Sequence, residues 1–121
     1  MVSRLLYREQ CKVYLEQARE EFANGDHMQA SEKGWGAAAQ IVKALAEDRG
    51  WEHWSHWLLS GAVSRIIDET KDDELRTLYA VANQLRNNFY EGQLSAAIVE
   101  KSLQDVERFV EKVEALLERE A

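Results

Sequence analysis

Apolar residues recur every three or four positions through almost the whole chain, and this spacing constrains the fold more than any other feature. Such spacing places the apolar side chains on one face of a helix. The longest series comprises Val99, Leu103, Val106, Val110, Val113 and Leu117. No stretch alternates apolar and polar residues as a half-buried strand does, and no proline is present to interrupt a helix. The sequence therefore predicts an all-α fold.

Residues typical of helix starts and ends divide this pattern into five segments. Glycines at 25, 50 and 92 favour helix ends, because glycine tolerates the left-handed conformation found there. The residues that favour helix starts are Asp26, Asp72 or Asp73, and Ser95. The first predicted helix covers residues 3–23 and the second covers 26–49. The third follows residues 51–57 and ends near residue 70. The fourth covers 72–91, and the fifth begins at residue 95. Short connections favour antiparallel neighbours, so we expect one domain, 1–121, that forms an up-and-down bundle of four to five antiparallel helices.

The middle of the second predicted helix has unusually small side chains. It contains Gly34 and Gly36, followed by three alanines at 37–39. Each glycine inside a helix costs on the order of 1 kcal/mol relative to alanine, but small residues let a neighbouring helix approach closely. We therefore expect the second helix to be the central and most enclosed one.

Charge and composition exclude several classes of protein. The 22 acidic residues outnumber the 15 basic ones, for a formal net charge of −7, which argues against non-specific binding to nucleic acid. The single cysteine excludes both a disulfide within the chain and a zinc site built from several thiolates. The first residues are interrupted by charges at Arg4, Arg8 and Glu9, unlike a signal peptide, and no stretch is apolar enough to span a membrane. We expect a soluble, cytoplasmic protein without a membrane partner.

Two histidines are candidate metal ligands. His53 and His56 are three residues apart and would share one face of a helix. Asp48, Glu52 and His27 are further candidate ligands, but no spacing fixes them and no His-Glu-x-x-His motif is present. In the alternative interpretation, both histidines cap or pack at the start of a helix. We predict neither a metal nor another cofactor.

Three of the four tryptophans, Trp51, Trp54 and Trp57, are also spaced by three residues. Aromatic side chains at this spacing can stack on nucleic-acid bases. They are also typical of a core or dimer interface, where aromatic residues contribute much of the energy. The absence of a basic run in the sequence favours the core or interface.

Motifs of the common catalytic classes are absent. Cys11 lies on the apolar face of the first predicted helix, which is typical of a buried cysteine rather than of a reactive thiolate. The Gly34-Trp35-Gly36 segment lies inside a helix and follows no strand, so it is not a phosphate-binding loop. No Gly-x-Ser-x-Gly motif is present.

The end of the fourth predicted helix carries the remaining candidate binding residues. Arg86, Asn87 and Tyr90 lie in the eight-residue segment Leu85-Arg86-Asn87-Asn88-Phe89-Tyr90-Glu91-Gly92. The guanidinium of Arg86 can bind phosphate in a forked geometry. Alternatively, Arg86 and Asn87 contact the helix carboxyl terminus or a carboxylate, and Tyr90 packs. We treat Arg86, Asn87 and Tyr90 as candidate ligand-binding residues.

Two sequence blocks together resemble a known family. The first runs from Gly25-Asp26 through Ala-Ser-Glu-Lys-x-Trp-x-Ala-Ala to residue 46, and the second is 85–92. Their order and separation resemble the HEPN superfamily, the higher eukaryote and prokaryote nucleotide-binding domains, and especially its archaeal PaREP-like branch, over about residues 5–113. The resemblance implies a bundle of four or five helices in a two-fold dimer. It also implies a nucleotidyltransferase-type protein partner, because many members are encoded beside one.

Active HEPN members are metal-independent ribonucleases, and many are toxins. They use an arginine, often followed by asparagine, and a histidine four to six residues later. Arg86-Asn87 matches the start of this motif, but the histidine falls near Glu91 and no histidine follows His56. Tyr90 comes too early to match the tyrosine that the family carries beyond its histidine. The chain therefore departs from the catalytic motif at the proton-transfer residue, for which histidine is the usual choice.

Arg49 and His56 also have a spacing close to the motif. They lie between the second and third helices instead of near the fourth, so we interpret them as a chance match. If the protein is active, Arg86 binds phosphate and either Glu91 or His56 serves as the base.

The sequence thus favours a HEPN-like, non-catalytic domain that forms a homodimer and binds a protein partner or a nucleotide-containing ligand. One alternative is a metal-independent ribonuclease toxin of a toxin–antitoxin pair, for which RNA is the ligand. The other is a tetratricopeptide-like adaptor, because residues 22–38 resemble one hairpin of such a repeat.

Overall fold

The computed structural model describes residues 2–120, except the side chains at positions 2, 3, 90 and 120. Within this range, five helices form an all-α bundle without strands, which confirms the predicted fold class. The helices are α1 (Val2–Ala23), α2 (His27–Arg49), α3 (His56–Thr70), α4 (Asp73–Glu91) and α5 (Ala96–Glu120). None of them is long and apolar enough to cross a membrane.

Local capping explains where the helices begin and end. The side chains of Asp26, Ser55 and Asp72 each accept a hydrogen bond from a backbone N–H in the first turn of α2, α3 and α4. Gly50 and Gly92 follow α2 and α4 with φ of 73° and 64°, the left-handed conformation that ends a helix. The predicted caps at Asp26 and Asp72 and the predicted glycine ends are confirmed.

Helix α2 lies at the centre of the bundle, as its small side chains predict, and packs against each of the other four helices. Ala37, Ala38 and Ala44 are completely buried. A Cβ atom added at Gly34 would lie 2.6 Å from a methyl of Leu103 on α5. The absence of a side chain at position 34 therefore allows α5 to pack closely against α2.

The first helix contributes Cys11 to the core. Its side chain is 1% exposed. Burial raises the pKa of the thiol to about 12, so the thiol stays protonated at neutral pH and is a poor nucleophile. The expectation of a buried, unreactive cysteine is confirmed.

A charged cluster joins the start of α4 to α5. Arg108 donates two hydrogen bonds to the Glu74 carboxylate, at 2.7 and 2.8 Å, and Nζ of Lys112 donates a third at 2.6 Å. Lys112 also lies 2.7 Å from Oδ2 of Asp72. These bonds from Arg108 and then Lys112 lower the pKa of Glu74 from 4.5 to about 2.

Because the pKa of Glu74 is lower in the folded protein, its contribution to stability is complete above pH 4.5 and is lost as the pH falls through about 2. We expect Glu74→Gln to lower the free energy of unfolding at pH 7. The difference from the wild type should shrink between about pH 4.5 and 2. Urea unfolding across this range measures it, and Glu100→Gln, at an exposed carboxylate on α5, is the control. A difference that stays constant down to pH 2 would contradict the role of Glu74.

Candidate functional site

The connection between α2 and α3 runs back along α2 rather than continuing past its end. Residues 51–55 contain no helix. Nε2 of His53 lies 2.9 Å from Oε2 of Glu47, and the ring centroids of His56 and Trp35 are 5.4 Å apart. The non-helical segment 51–55, which we call the return segment, thus places the start of α3 beside the middle of α2.

Aromatic contacts hold the return segment at its first residue, Trp51, and at its middle, His53. Trp51 is half-buried against the core, and the guanidinium carbons of Arg65 and Arg49 lie 4.1 and 5.4 Å from a ring centroid of Trp51. The edge of the His53 ring meets Tyr7 of α1, with centroids 5.4 Å apart. Stacked guanidinium groups and edge-to-face rings are both favourable arrangements, so the segment has a defined position on the bundle.

A small cleft lies between the return segment and helices α2, α3 and α4. Its volume is about 190 Å³. Its lining consists of Trp35, Ala39, Lys43, His53, Trp54, Ser55, His56, Leu59 and Arg86. The three residues from α2 are spaced four apart, which places them on one face of that helix. We call this site the cationic cleft, because Lys43 and Arg86 line it and, within the part of the chain that the structure describes, no carboxylate does.

Two of the basic side chains have no acidic partner. Among the described residues, no carboxylate lies within ion-pair distance of Lys43 or Arg86, although most other lysines and arginines form ion pairs. A larger groove of about 510 Å³ is lined by Lys112 and Arg119, but also by Glu69 and Asp72, and the Lys112 ammonium already contacts two carboxylates. The cationic cleft is therefore better suited to an anionic ligand, despite its smaller volume.

The Trp35 ring links Arg86 to His56. The guanidinium carbon of Arg86 lies 5.9 Å from a ring centroid of Trp35, and His56 meets the same ring edge-on. Nε2 of His56 also lies 2.6 Å from Oδ1 of Asn83 on α4. The structure thus gathers an arginine and a histidine that are 30 residues apart in sequence around one tryptophan.

The start of α3 adds a further positive contribution. Ser55, which caps this helix, and His56, its first residue, both line the cleft. The amino-terminal end of a helix carries a partial positive charge and unpaired N–H groups. The start of α3 and the basic side chains therefore both favour the binding of an anion in the cleft.

Comparison with known proteins agrees with this architecture. The model of the archaeal PaREP1/PaREP8 family matches residues 6–110. The chain belongs to the archaeal PaREP1/PaREP8 family. The crystal structure of a Sulfolobus solfataricus protein is similar to this fold, with a TM-score of 0.79 and 26% identity over 89% of this chain and 96% of that one. No curated protein matches the sequence.

The cleft of this PaREP1/PaREP8 protein includes one of the three candidate ligand-binding residues. Arg86 lines it. Asn87 is exposed and lies outside the lining, as does Glu91, the candidate base. The side chain of Tyr90 lies outside the described residues. Of the two candidate bases, it is His56 that shares the cleft with Arg86.

The two candidate metal ligands of this PaREP1/PaREP8 protein are arranged differently from the expectation. His53 and His56 do not share a helical face, because His53 belongs to the return segment and only His56 lies in α3. Their Nε2 atoms face Glu47 and Asn83, respectively. Within the described part of the chain, no three side chains of the metal-ligating types come together.

The three closely spaced tryptophans of this PaREP1/PaREP8 protein do not form one stripe, because the return segment is not helical. Trp51 is half-buried, whereas Trp54 and Trp57 are 79% and 81% exposed.

Arg49 and His56, whose spacing is close to the family motif, have separate contacts. Arg49 pairs with Glu69 at 2.6 Å, whereas His56 contacts Trp35 and Asn83.

Sequence reasoning missed Trp35, Lys43 and Asn83 as site residues of this PaREP1/PaREP8 protein. The spacing of Trp35 and Lys43 could have identified them. They are eight residues apart on a helix, and this spacing predicts that they share one face. The basic side chain at one end of that face marks it as a possible anion site. No comparable signal pointed to Asn83, which acquires its role only through its contact with His56.

Proposed function

We propose that this PaREP1/PaREP8 protein is a HEPN-like, non-catalytic binding module whose cationic cleft holds the phosphate of a nucleotide-containing ligand. The observation that carries the proposal is the pair Lys43 and Arg86, which line one cleft without an acidic partner among the described residues. Guanidinium and ammonium groups are the usual phosphate ligands. The nearby start of α3 adds N–H groups of the kind that bind phosphate.

The charge of the whole protein supports a small ligand. A net charge of −7 repels a long polyanion, since binding to a nucleic-acid backbone depends on many basic residues. A single cleft of about 190 Å³ concentrates its positive charge where one or two phosphates fit. We therefore favour a mononucleotide or a nucleotide group of a larger ligand.

We also propose that the protein forms a homodimer through Trp54 and Trp57. Both are almost fully exposed, and aromatic side chains are enriched in interfaces. A two-fold dimer uses the same surface on both subunits, so the exposed tryptophans of the two copies would pack together beside the two clefts. A nucleotidyltransferase-type partner is the other candidate for this surface.

We expect Arg86→Ala to weaken the binding of adenosine monophosphate by about tenfold to hundredfold, because a hydrogen bond to a charged group contributes about 1.5–3 kcal/mol. Isothermal titration calorimetry measures the dissociation constant. Arg86→Lys should retain part of the affinity, since it keeps the charge and loses the fork. Arg76→Ala, at an exposed arginine of the same helix that pairs with Asp73, is the matched control and should bind like the wild type.

Two results would contradict the binding proposal. In the first, adenosine monophosphate binds no more tightly than adenosine, which lacks the phosphate. In the second, Arg86→Ala binds as tightly as the wild type.

A metal-independent ribonuclease is the second candidate function. It is favoured by the position of His56, which supplies a histidine at the same cleft as Arg86 although the sequence motif lacks one. Cleavage of a mixed RNA without metal, lost in both Arg86→Ala and His56→Ala, would establish catalysis and replace the binding module as the conclusion.

A further inference from the structure

The contacts of Asn83 determine which ring nitrogen of His56 carries hydrogen. Nδ2 of Asn83 lies 3.3 Å from the backbone carbonyl of Tyr79. A carbonyl only accepts hydrogen bonds, so the amide nitrogen of Asn83 faces Tyr79 and the amide oxygen faces His56. This oxygen lies 2.6 Å from Nε2 of His56 and also only accepts. Nε2 must therefore be the donor.

A neutral imidazole carries a single N–H, so hydrogen on Nε2 leaves the lone pair on Nδ1. Among the described residues, Nδ1 of His56 has no hydrogen-bond partner. We propose that Asn83 is a positioning residue, which holds neutral His56 in the Nε2–H tautomer and so makes Nδ1 the hydrogen-bond acceptor of the cationic cleft.

The position of Asn83 on α4 fits this role. Asn83 and Arg86 are three residues apart, which places them on the same face of the helix. Asn83 positions the side chain of His56, and Arg86 contributes its own guanidinium. Both His56 and Arg86 contact Trp35. One face of α4 thus contributes the guanidinium of Arg86 and the partner of the His56 imidazole, and both His56 and Arg86 line the same cleft.

The tautomer is inferred from the hydrogen bonds of Asn83 to His56 and to the Tyr79 carbonyl, whereas its use in the cleft rests on the proposed function. A singly protonated phosphate or a ribose hydroxyl carries the hydrogen that Nδ1 would accept. A cleft with both Arg86 and a free imidazole acceptor therefore matches a ligand that presents phosphate oxygens and an O–H group together.

Nitrogen NMR of the full chain tests the tautomer directly. Long-range proton–nitrogen spectra of the neutral imidazole should show Nε2 of His56 as protonated and Nδ1 as unprotonated, with the signals assigned by their loss in His56→Gln. In Asn83→Leu the tautomers interconvert, so the two nitrogen shifts should move toward each other. Gln84→Leu makes a similar change at an exposed neighbour and should leave both shifts in place.

A wild-type spectrum with Nδ1 protonated would overturn the proposal, as would equal His56 shifts in the wild type and Asn83→Leu. Titration with inorganic phosphate should move Nδ1 more than Nε2 in the wild type. A titration that moves neither contradicts the phosphate site of the proposed function, whereas the tautomer measurement still decides the role of Asn83.

Discussion

Asn88→Ala is expected to lower the free energy of unfolding by about 2–3 kcal/mol. Asn88 is 4% exposed. Its amide donates to Oγ of Ser31 at 2.9 Å and accepts from the backbone N–H of Leu94 at 2.8 Å. Truncation leaves the Leu94 N–H without its partner and opens a void between helices, and an unpaired buried polar group costs about 1–3 kcal/mol.

The bonds of Asn88 join the end of α4 to the following connection and to the distant start of α2. Ser31 lies near the start of α2, Asn88 near the end of α4, and Leu94 in the connection to α5. Ser31 also donates to the carbonyl of His27 at 2.8 Å, so its hydroxyl keeps one partner in the variant. The loss should therefore be concentrated at the α4–α5 connection.

Chemical denaturation measures the effect of Asn88→Ala. Asn87→Ala is the matched control, because Asn87 has the same side chain, is adjacent in sequence and is exposed. Exposed substitutions of this kind change stability by about 0.5 kcal/mol or less. Equal losses in the two variants would show that the buried hydrogen bonds of Asn88 do not stabilise the bundle.

Replacing both exposed tryptophans, Trp54→Ser with Trp57→Ser, is expected to convert the proposed dimer into a monomer. Tryptophan is among the residues that dominate interface energies, with losses of about 2 kcal/mol or more each on truncation. Two such losses, about 4 kcal/mol together, weaken association by roughly a thousandfold. Because both side chains are already exposed, the fold of each subunit should be unchanged.

Light scattering over micromolar concentrations measures the mass of the wild type and of the variant. The control replaces Leu5 and Leu6 of α1 by serine, since these are also large exposed apolar residues, at 62% and 61%. A monomeric wild type would rule out the dimer at these concentrations. Dissociation caused by the Leu5 and Leu6 changes instead would place the interface on α1.

The helices and the central position of α2 were predictable because local signals determine them. Asp26, Gly50, Asp72 and Gly92 act within one turn of their own positions, so the sequence alone shows their roles. The run of small residues from Gly34 onward likewise indicates close packing wherever the neighbouring helices come from.

The cationic cleft was predictable only in part, because it depends on contacts between distant segments. Arg86 could be named as a candidate ligand-binding residue from its side chain and its place in the motif, and it lines the cleft. Its neighbour His56 is brought in by the return segment, whose course along α2 depends on contacts such as His53 with Glu47. The spacing of the tryptophans and histidines by three residues would put them on one face if residues 51–57 were helical. Tertiary contacts outweigh that pattern in residues 51–55.

The return segment also places part of the cationic cleft outside the core. One wall of the cleft is this short connection, in which Trp54 is exposed, whereas the opposite wall belongs to helices of the core. Substitutions at such exposed connecting positions disturb core packing little. The lining of the cleft can therefore change through a few substitutions in this connection, while the packing of the five helices stays the same.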